Sequence, residues 1–153
     1  MSFHTNLGDR MFVKDLMTKE VVSIDYDKTV IDACNKYKEC GLGSLVVVNS
    51  GIVVGIITER DIIERVIVNK KNPKKTKIEE IMSKNIITIH ASAKVERAAE
   101  LMRKHKIKKL PVILNNNFVG IITVTDLANI MPKFTKILAD ENQPFNFVTP
   151  ESY

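Results

Sequence analysis

Two Thr-x-x-Asp motifs, one with Thr58 and Asp61 and one with Thr123 and Asp126, carry the side chains best suited to ligand chemistry in this sequence. A carboxylate at the start of a helix can accept two hydroxyl hydrogen bonds, as a vicinal diol offers, and a threonine hydroxyl and the first helix amides can meet phosphate oxygens. The same residue types are favoured as helix caps, because their oxygens accept hydrogen bonds from free backbone amides. The motifs alone therefore do not distinguish a ligand-binding role from a helix-capping role.

The two motifs belong to an internal duplication with a constant offset of 65 residues. Met17 returns as Met82 and Thr58 returns as Thr123, and residues 13–63 align with residues 78–128 without a gap. A gapless repeat of this length indicates two copies of one supersecondary unit, each too small to bury a full core alone. We therefore expect neither copy to be stable by itself.

Each copy predicts the same element order, β-α-β-β-α. In the first copy, the β-branched residues 21–24 are typical of a strand, and the i, i+3, i+4, i+7 spacing from Val30 to Tyr37 predicts a helix with one buried face. Residues 45–48 and 52–57 flank an Asn-Ser-Gly turn and predict a hairpin, after which a helix opens near Thr58. The second copy carries the matching segments at 86–89, Val95 to Met102, 110–114, 118–122 and Thr123 onward. The fold class predicted is mixed α/β (α+β), built from two such repeats.

Composition sets the boundaries around the repeats. We predict an N-terminal extension at 1–12, repeat one at 13–68, a linker at 69–77, repeat two at 78–131 and a C-terminal tail at 132–153. The linker is polar, lysine-rich and contains Pro73, which is typical of a solvated surface segment. The tail is polar after Pro132, and we expect it to be poorly ordered unless a partner holds it.

Several function classes are excluded by composition. With 44% hydrophobic and 27% charged residues, the 153-residue chain is typical of a globular protein. It has no apolar run of the ~18 residues that a membrane span needs and no secretory leader, which predicts a cytoplasmic location. Cys34 and Cys40 lie six residues apart on different faces of a predicted helix, and the three histidines have no metal-ligand spacing, so we expect no disulfide and no metal. The net charge of +5 permits anionic partners without naming one.

The duplication, with G-h-h-T-x-x-D closing each copy and Leu110, Pro111 and Val112 before the second hairpin, resembles a tandem pair of CBS domains, the module named after cystathionine β-synthase. The resemblance covers about residues 13–128. It implies that the repeats pack pseudo-symmetrically into one module and that two clefts between them bind AMP, ADP, ATP or S-adenosylmethionine. It also implies a stand-alone regulator, usually a homodimer, that signals to a separate effector protein.

The resemblance implies that each cleft joins the Thr-x-x-Asp motif of one repeat to the first strand and the pre-hairpin segment of the other. Carried over by position, cleft one contains Thr58, Arg60, Asp61, Ser83, Asn85, Ile86, Ile87, His105, Lys106, Ile107, Lys108 and Pro111. Cleft two contains Thr18, Glu20, Val21, Val22, Gly41, Leu42, Gly43, Thr123, Thr125 and Asp126. Apolar β-branched residues of these sets can sandwich an adenine ring.

Charge distinguishes the two clefts. The Asp61 cleft has Arg60, Lys106 and Lys108, whereas Gly41 and Gly43 at the matching positions of the other cleft carry no charge. Charge-assisted hydrogen bonds are about twice as strong as neutral ones, so this pattern predicts tighter nucleotide binding at the Asp61 cleft. The alternative is that these lysines only solvate a helix end, where cations are favourable. Ile107, between them, should point inward.

Three functions compete. The sequence has no nucleophile–base pair, no paired acids and no P-loop, which favours a non-catalytic nucleotide sensor over an enzyme. A nucleic-acid-binding protein using the basic runs 70–77 and 103–109 is the alternative, although tryptophan is absent and only 6% of residues are aromatic. A scaffold with vestigial clefts is the third.

Overall fold

The computed structural model describes residues 11–19 and 21–130, which divide into two compact units. The repeat-one unit contains Val22–Ile86 and Asn116–Phe118, and the repeat-two unit contains the described residues before Val22, Ile87–Asn115 and those from Val119 onward. The units do not coincide with the sequence repeats. Each one takes its opening segment from the other repeat.

The elements follow the predicted order in both repeats. In chain order they are α1 (Val13–Leu16), β1 (Ser23–Asp25), α2 (Val30–Cys40), β2 (Ser44–Asn49), β3 (Ile52–Thr58), α3 (Glu59–Ile62), a π-helical turn (Ile63–Ile67), a 3-10 turn (Ile78–Glu80), β4 (Ile89–His90), α4 (Val95–His105), β5 (Lys109–Leu114), β6 (Asn117–Thr123) and α5 (Val124–Ala128). Strand β1 runs parallel to β2, and β2 runs antiparallel to β3. In the repeat-two unit β4 runs parallel to β5, and β5 neighbours β6. The β-α-β-β-α prediction is confirmed.

The first strand of each repeat is shorter than its β-branched run predicts. Pairing with β2 begins only at Ser23, and pairing with β5 begins at Ile89. Val21, Val22 and residues 86–88 therefore precede the strands. A high β propensity means that these side chains fit a half-buried sheet surface. It does not mean that a neighbouring strand is available to pair with their backbone.

Both cores mix residues from the two repeats. In the repeat-one unit, Val30, Ala33 and Tyr37 on one face of α2 pack in a buried cluster with Ile78 and Ile81 from the start of repeat two. In the repeat-two unit, the predicted α4 stripe of Val95, Ala98, Ala99 and Met102 packs in a cluster that includes Val13 from the start of repeat one. The buried helix faces are confirmed. The residues that cover each helix face come in part from the start of the other repeat. Each compact unit therefore includes the opening segment of the other repeat.

The predicted linker is more ordered than a solvated surface segment. Backbone N–H groups in the first turn of α2 need acceptors outside the helix. The Thr76 carbonyl accepts from Val30 N at 3.0 Å, and the Pro73 carbonyl accepts from Ile31 N at 3.0 Å. Thr76 is buried, whereas the linker lysines are exposed. The linker backbone therefore supplies acceptors to the first turn of α2, and its lysine side chains are exposed.

A further point concerns paired cysteines, metal-ligand clusters and membrane-spanning helices among the described residues. Cys34 and Cys40 are both free thiols. Within residues 11–19 and 21–130, no cluster of three histidine, cysteine or acidic side chains is placed to hold a metal ion. No helix in the same ranges has the length and hydropathy required to cross a bilayer.

Candidate functional site

The Asp61 loop (residues 58–61) joins β3 to α3 and is closed by its own side chains. The Asp61 Oδ2 atom accepts from Thr58 N at 2.9 Å and from Thr58 Oγ1 at 2.9 Å. In return, Asp61 N donates to Thr58 Oγ1 at 3.1 Å. Both residues are buried, with 5% and 4% of their surface exposed. The capping role, which the motif left open, is present here.

The Asp126 loop (residues 123–126) joins β6 to α5 with the same bonding. The Asp126 Oδ2 atom accepts from Thr123 N at 2.8 Å and from Thr123 Oγ1 at 2.9 Å, and Asp126 N donates to Thr123 Oγ1 at 3.3 Å. This loop is half-buried rather than buried. In both loops capping uses only one carboxylate oxygen, so it does not exclude a ligand contact at the other.

The two loops differ in the partners of the second carboxylate oxygen. Asp61 Oδ1 lies 3.4 Å from Nη2 of Arg65, in an ion pair four residues apart along the chain. The residue that matches Arg65 at the repeat offset is Ile130, which cannot form such a pair. Among the described residues, Asp126 Oδ1 forms no hydrogen bond or ion pair.

Each loop is approached by the opening segment of the other repeat. In the repeat-one unit, Ile56 and Ser83 exchange two backbone hydrogen bonds of 3.0 and 2.9 Å. In the repeat-two unit, Thr18 and Ile121 do the same at 2.8 and 3.0 Å. Ser83 therefore lies beside the strand that leads into the Asp61 loop, and Thr18 lies beside the strand that leads into the Asp126 loop.

The pre-hairpin segments contact the loop of their own repeat. The Gly43 carbonyl accepts from Glu59 N at 3.1 Å, and the Lys108 carbonyl accepts from Val124 N at 2.8 Å. Gly43 thus lies beside the Asp61 loop in the repeat-one unit. Lys108 lies beside the Asp126 loop in the repeat-two unit, and its side chain is exposed.

The other predicted site residues divide between the units. In the repeat-one unit, Asn85 is exposed, and Arg60 is exposed and bonds Glu64 on its own helical turn at 2.6 Å. In the repeat-two unit, Ile107 is 3% exposed and belongs to the core, as its predicted inward direction requires. The remaining members in the repeat-one unit are Val22, Gly41, Leu42 and Ile86, and those in the repeat-two unit are Val21, Ile87, His105, Lys106, Pro111 and Thr125. Glu20 lies outside the described residues, as do the N-terminal extension up to residue 10 and the C-terminal tail.

Tyr37 supports the strand that enters the Asp61 loop. Its hydroxyl donates to the Ile57 carbonyl at 2.8 Å, and only 8% of the residue is exposed. Burial, with a smaller contribution from the Asp61 charge, raises the pKa of the Tyr37 hydroxyl far above its ordinary value. The phenol is therefore held in the neutral form, in which it can donate this bond.

We expect Tyr37 to stay protonated when the folded protein is titrated to about pH 11, beyond the ordinary tyrosine pKa of about 10. Because only the unfolded state releases this proton there, the free energy of unfolding should fall as the pH rises above about 10. Tyrosinate absorbance measures the ionisation, with Tyr37→Phe as the control. An unchanged amplitude in the variant supports the prediction, and loss of one of the three tyrosine signals contradicts it.

A model of the CBS domain matches residues 13–68 and 78–133. The chain belongs to the CBS domain family. The resemblance predicted from the repeat is thereby confirmed, and each matched segment contains one Thr-x-x-Asp loop near its end. The predicted clefts, the homodimer, the effector protein and the cytoplasmic location stay predictions.

Other CBS proteins are similar over most of the chain. The CBS domain-containing protein YhcV of Bacillus subtilis is 34% identical over 76% of this chain and 82% of its own length. The solved CBS domain pair of protein MJ0100, in complex with 5′-methylthioadenosine and S-adenosyl-L-methionine, is 31% identical with a TM-score of 0.67, over 80% of this chain and 97% of that one. A hexameric CBS-CP12 protein from bloom-forming cyanobacteria is 33% identical with a TM-score of 0.63, over 76% and 66% of the two chains.

Arg65 is the residue that the CBS repeat pattern did not single out. Its guanidinium reaches both the Asp61 carboxylate and the opening segment of repeat two, at Ile81 and Ser83. One signal was present in the sequence, because Arg65 and Ile130 are a charged–apolar mismatch within an aligned pair of repeats. A mismatch of this kind marks where two copies of one unit have different side-chain environments.

Proposed function

We propose that the chain is a non-catalytic regulatory module that binds an adenosine-type ligand through its Thr-x-x-Asp loops and passes the binding signal to a separate protein. The candidate ligands are AMP, ADP, ATP and S-adenosylmethionine. The observation that carries the proposal is the pair of alike loops, in a CBS chain 31% identical to a domain pair solved with two adenosine-type ligands. Among the described residues, no contact favours nucleic-acid binding over this function.

The bonding of the loops suits a ribose contact. Two hydrogen bonds fix one oxygen of each aspartate, so the carboxylate has little conformational freedom left to lose. A binding group that is fixed before the ligand arrives costs less ordering entropy on association. An ionised carboxylate only accepts hydrogen bonds, so at its second oxygen it selects a donor such as a ribose hydroxyl.

We expect adenosine compounds to raise the thermal unfolding temperature of the full chain. A ligand present at about 100 times its dissociation constant adds about 2.7 kcal/mol to the free energy of unfolding. For a domain of this size, that corresponds to a rise of roughly 5–10 °C. The measurement is a thermal-shift panel of AMP, ADP, ATP, S-adenosylmethionine and 5′-methylthioadenosine.

Cytidine monophosphate is the matched control, because it keeps the ribose and the phosphate but replaces the adenine. A shift with at least one adenosine compound and none with cytidine monophosphate supports the proposal. Equal shifts with both would indicate recognition of sugar phosphate alone. The absence of a shift with all five adenosine compounds, at concentrations up to several millimolar, contradicts the proposed function.

A further inference from the structure

The Asp61 loop already has an internal partner for each of its side-chain oxygens. Oδ2 of Asp61 holds the Thr58 amide and hydroxyl, and Thr58 Oγ1 holds the Asp61 amide. Oδ1 of Asp61 faces the Arg65 guanidinium at 3.4 Å. With 4% of Asp61 exposed, a ligand hydroxyl could reach this carboxylate only by displacing one of these partners.

Arg65 is itself held in place from a second direction. Its Nη1 donates to the Ile81 carbonyl at 2.6 Å, and its Nη2 lies 3.4 Å from the Ser83 hydroxyl. The side chain is 29% exposed, and the Asp61 side chain that it faces is 5% exposed. Removing the cation would leave a buried carboxylate without a compensating charge, which is strongly unfavourable. A ligand with hydroxyl donors alone does not replace that charge.

The Asp126 loop lacks this closure. Asp126 is half-buried, and among the described residues Oδ1 has no partner. Ile130 stands where the other repeat has Arg65 and offers no hydrogen bond. The backbone of Lys108 is bonded beside this loop, so this lysine, which the charge pattern assigns to the Asp61 cleft, is a neighbour of the Asp126 loop within the repeat-two unit.

We propose that this chain takes a single adenosine-type ligand, whose ribose is bound by Asp126, and that Arg65 keeps the Asp61 loop closed to ligand. The proposal rests on the proposed function and adds a stoichiometry, a site and a specificity-determining residue to it. It reverses the ranking that the charge pattern predicts, in which the Asp61 cleft binds more tightly. The reversal arises because the guanidinium of Arg65 is an internal competitor at Asp61.

Isothermal titration of the full chain with S-adenosyl-L-methionine, and separately with AMP, tests the proposal. We expect the wild type to bind one equivalent of the ligand. Asp126→Asn should weaken the affinity at least tenfold, whereas Asp61→Asn should change it less than twofold. Arg65→Met keeps an unbranched apolar stem, removes the guanidinium and should add a second binding event. Arg97→Met is the matched control and should keep a single event, because Arg97 is an exposed arginine that pairs with Glu100 and not with Asp61.

Circular dichroism establishes that each variant is folded before titration. If Arg65→Met does not fold, the wild-type stoichiometry and the two aspartate variants still decide the outcome. Two equivalents bound by the wild type, or a greater loss of affinity in Asp61→Asn than in Asp126→Asn, overturn the proposal. A single event in folded Arg65→Met overturns the role of Arg65. Failure of the wild type to bind either probe contradicts the proposed function instead.

Discussion

Replacing Ile81 by alanine should lower the free energy of unfolding of the full chain by about 2–5 kcal/mol, the range for deleting a buried branched side chain. Ile81 is 2% exposed and packs in the core cluster of the repeat-one unit, with Ile24, Val30 and Ile57. The substitution removes apolar contacts and leaves a cavity that the surrounding structure fills only in part. For a domain whose total stability is typically 5–15 kcal/mol, a loss of this size is a large fraction.

Urea unfolding followed by circular dichroism measures this loss, and Ile63→Ala is the matched control. Ile63 is the same residue type in the same unit but is 57% exposed, so its replacement should change stability by no more than about 0.5 kcal/mol. Equal effects of the two substitutions would show that the opening segment of repeat two is not part of this core. The expected difference supports the prediction that neither sequence repeat is stable alone, because residue 81 belongs to the second repeat.

Local features of the fold were predictable because they depend on short-range patterns. The buried face of α2 and the β2–β3 hairpin follow from the spacing of apolar residues and from one Asn-Ser-Gly turn. The offset between the repeats then transfers these predictions to α4 and to the β5–β6 hairpin. The predicted start of the first strand was wrong by two residues in repeat one and by three in repeat two. A strand begins only where a partner backbone is available for pairing.

The exchange of opening segments was not predictable from the repeat. Residues 13–17 and 78–82 are equivalent in the alignment, and periodicity gives no information on which copy each segment covers. That choice is made by tertiary contacts, such as the packing of Ile78 against the α2 side of the core. The ion pair of Arg65 with Asp61 was missed for a related reason. In the sequence, Arg65 looks like an ordinary surface residue four positions after the motif. Its contacts depend on Ile81 and Ser83, which only the tertiary fold places beside it.

Replacing Gly55 by alanine should lower the free energy of unfolding by about 1–3 kcal/mol, the range for forcing extra volume into a packed site. A methyl group at this position would lie 2.6 Å from Met82 Sδ and 2.9 Å from the Ser83 carbonyl oxygen. The methionine side chain is flexible and can move. The Ser83 carbonyl cannot move without disturbing its hydrogen bond of 3.0 Å from Ile56 N. The backbone contact therefore sets the cost.

Gly43→Ala is the control for Gly55→Ala. Its added methyl would meet nothing closer than Glu59 Oε2 at 3.7 Å, so the change should be neutral or stabilise the fold by up to about 1 kcal/mol. Urea unfolding of both variants measures the difference, and a Gly55→Ala protein as stable as Gly43→Ala would contradict the close approach. Gly120→Ala extends the test to the repeat-two unit, where the methyl would lie 2.8 Å from both Met17 Sδ and the Thr18 carbonyl oxygen. A similar loss at Gly120 is expected, because the same backbone approach requires glycine before each Thr-x-x-Asp loop.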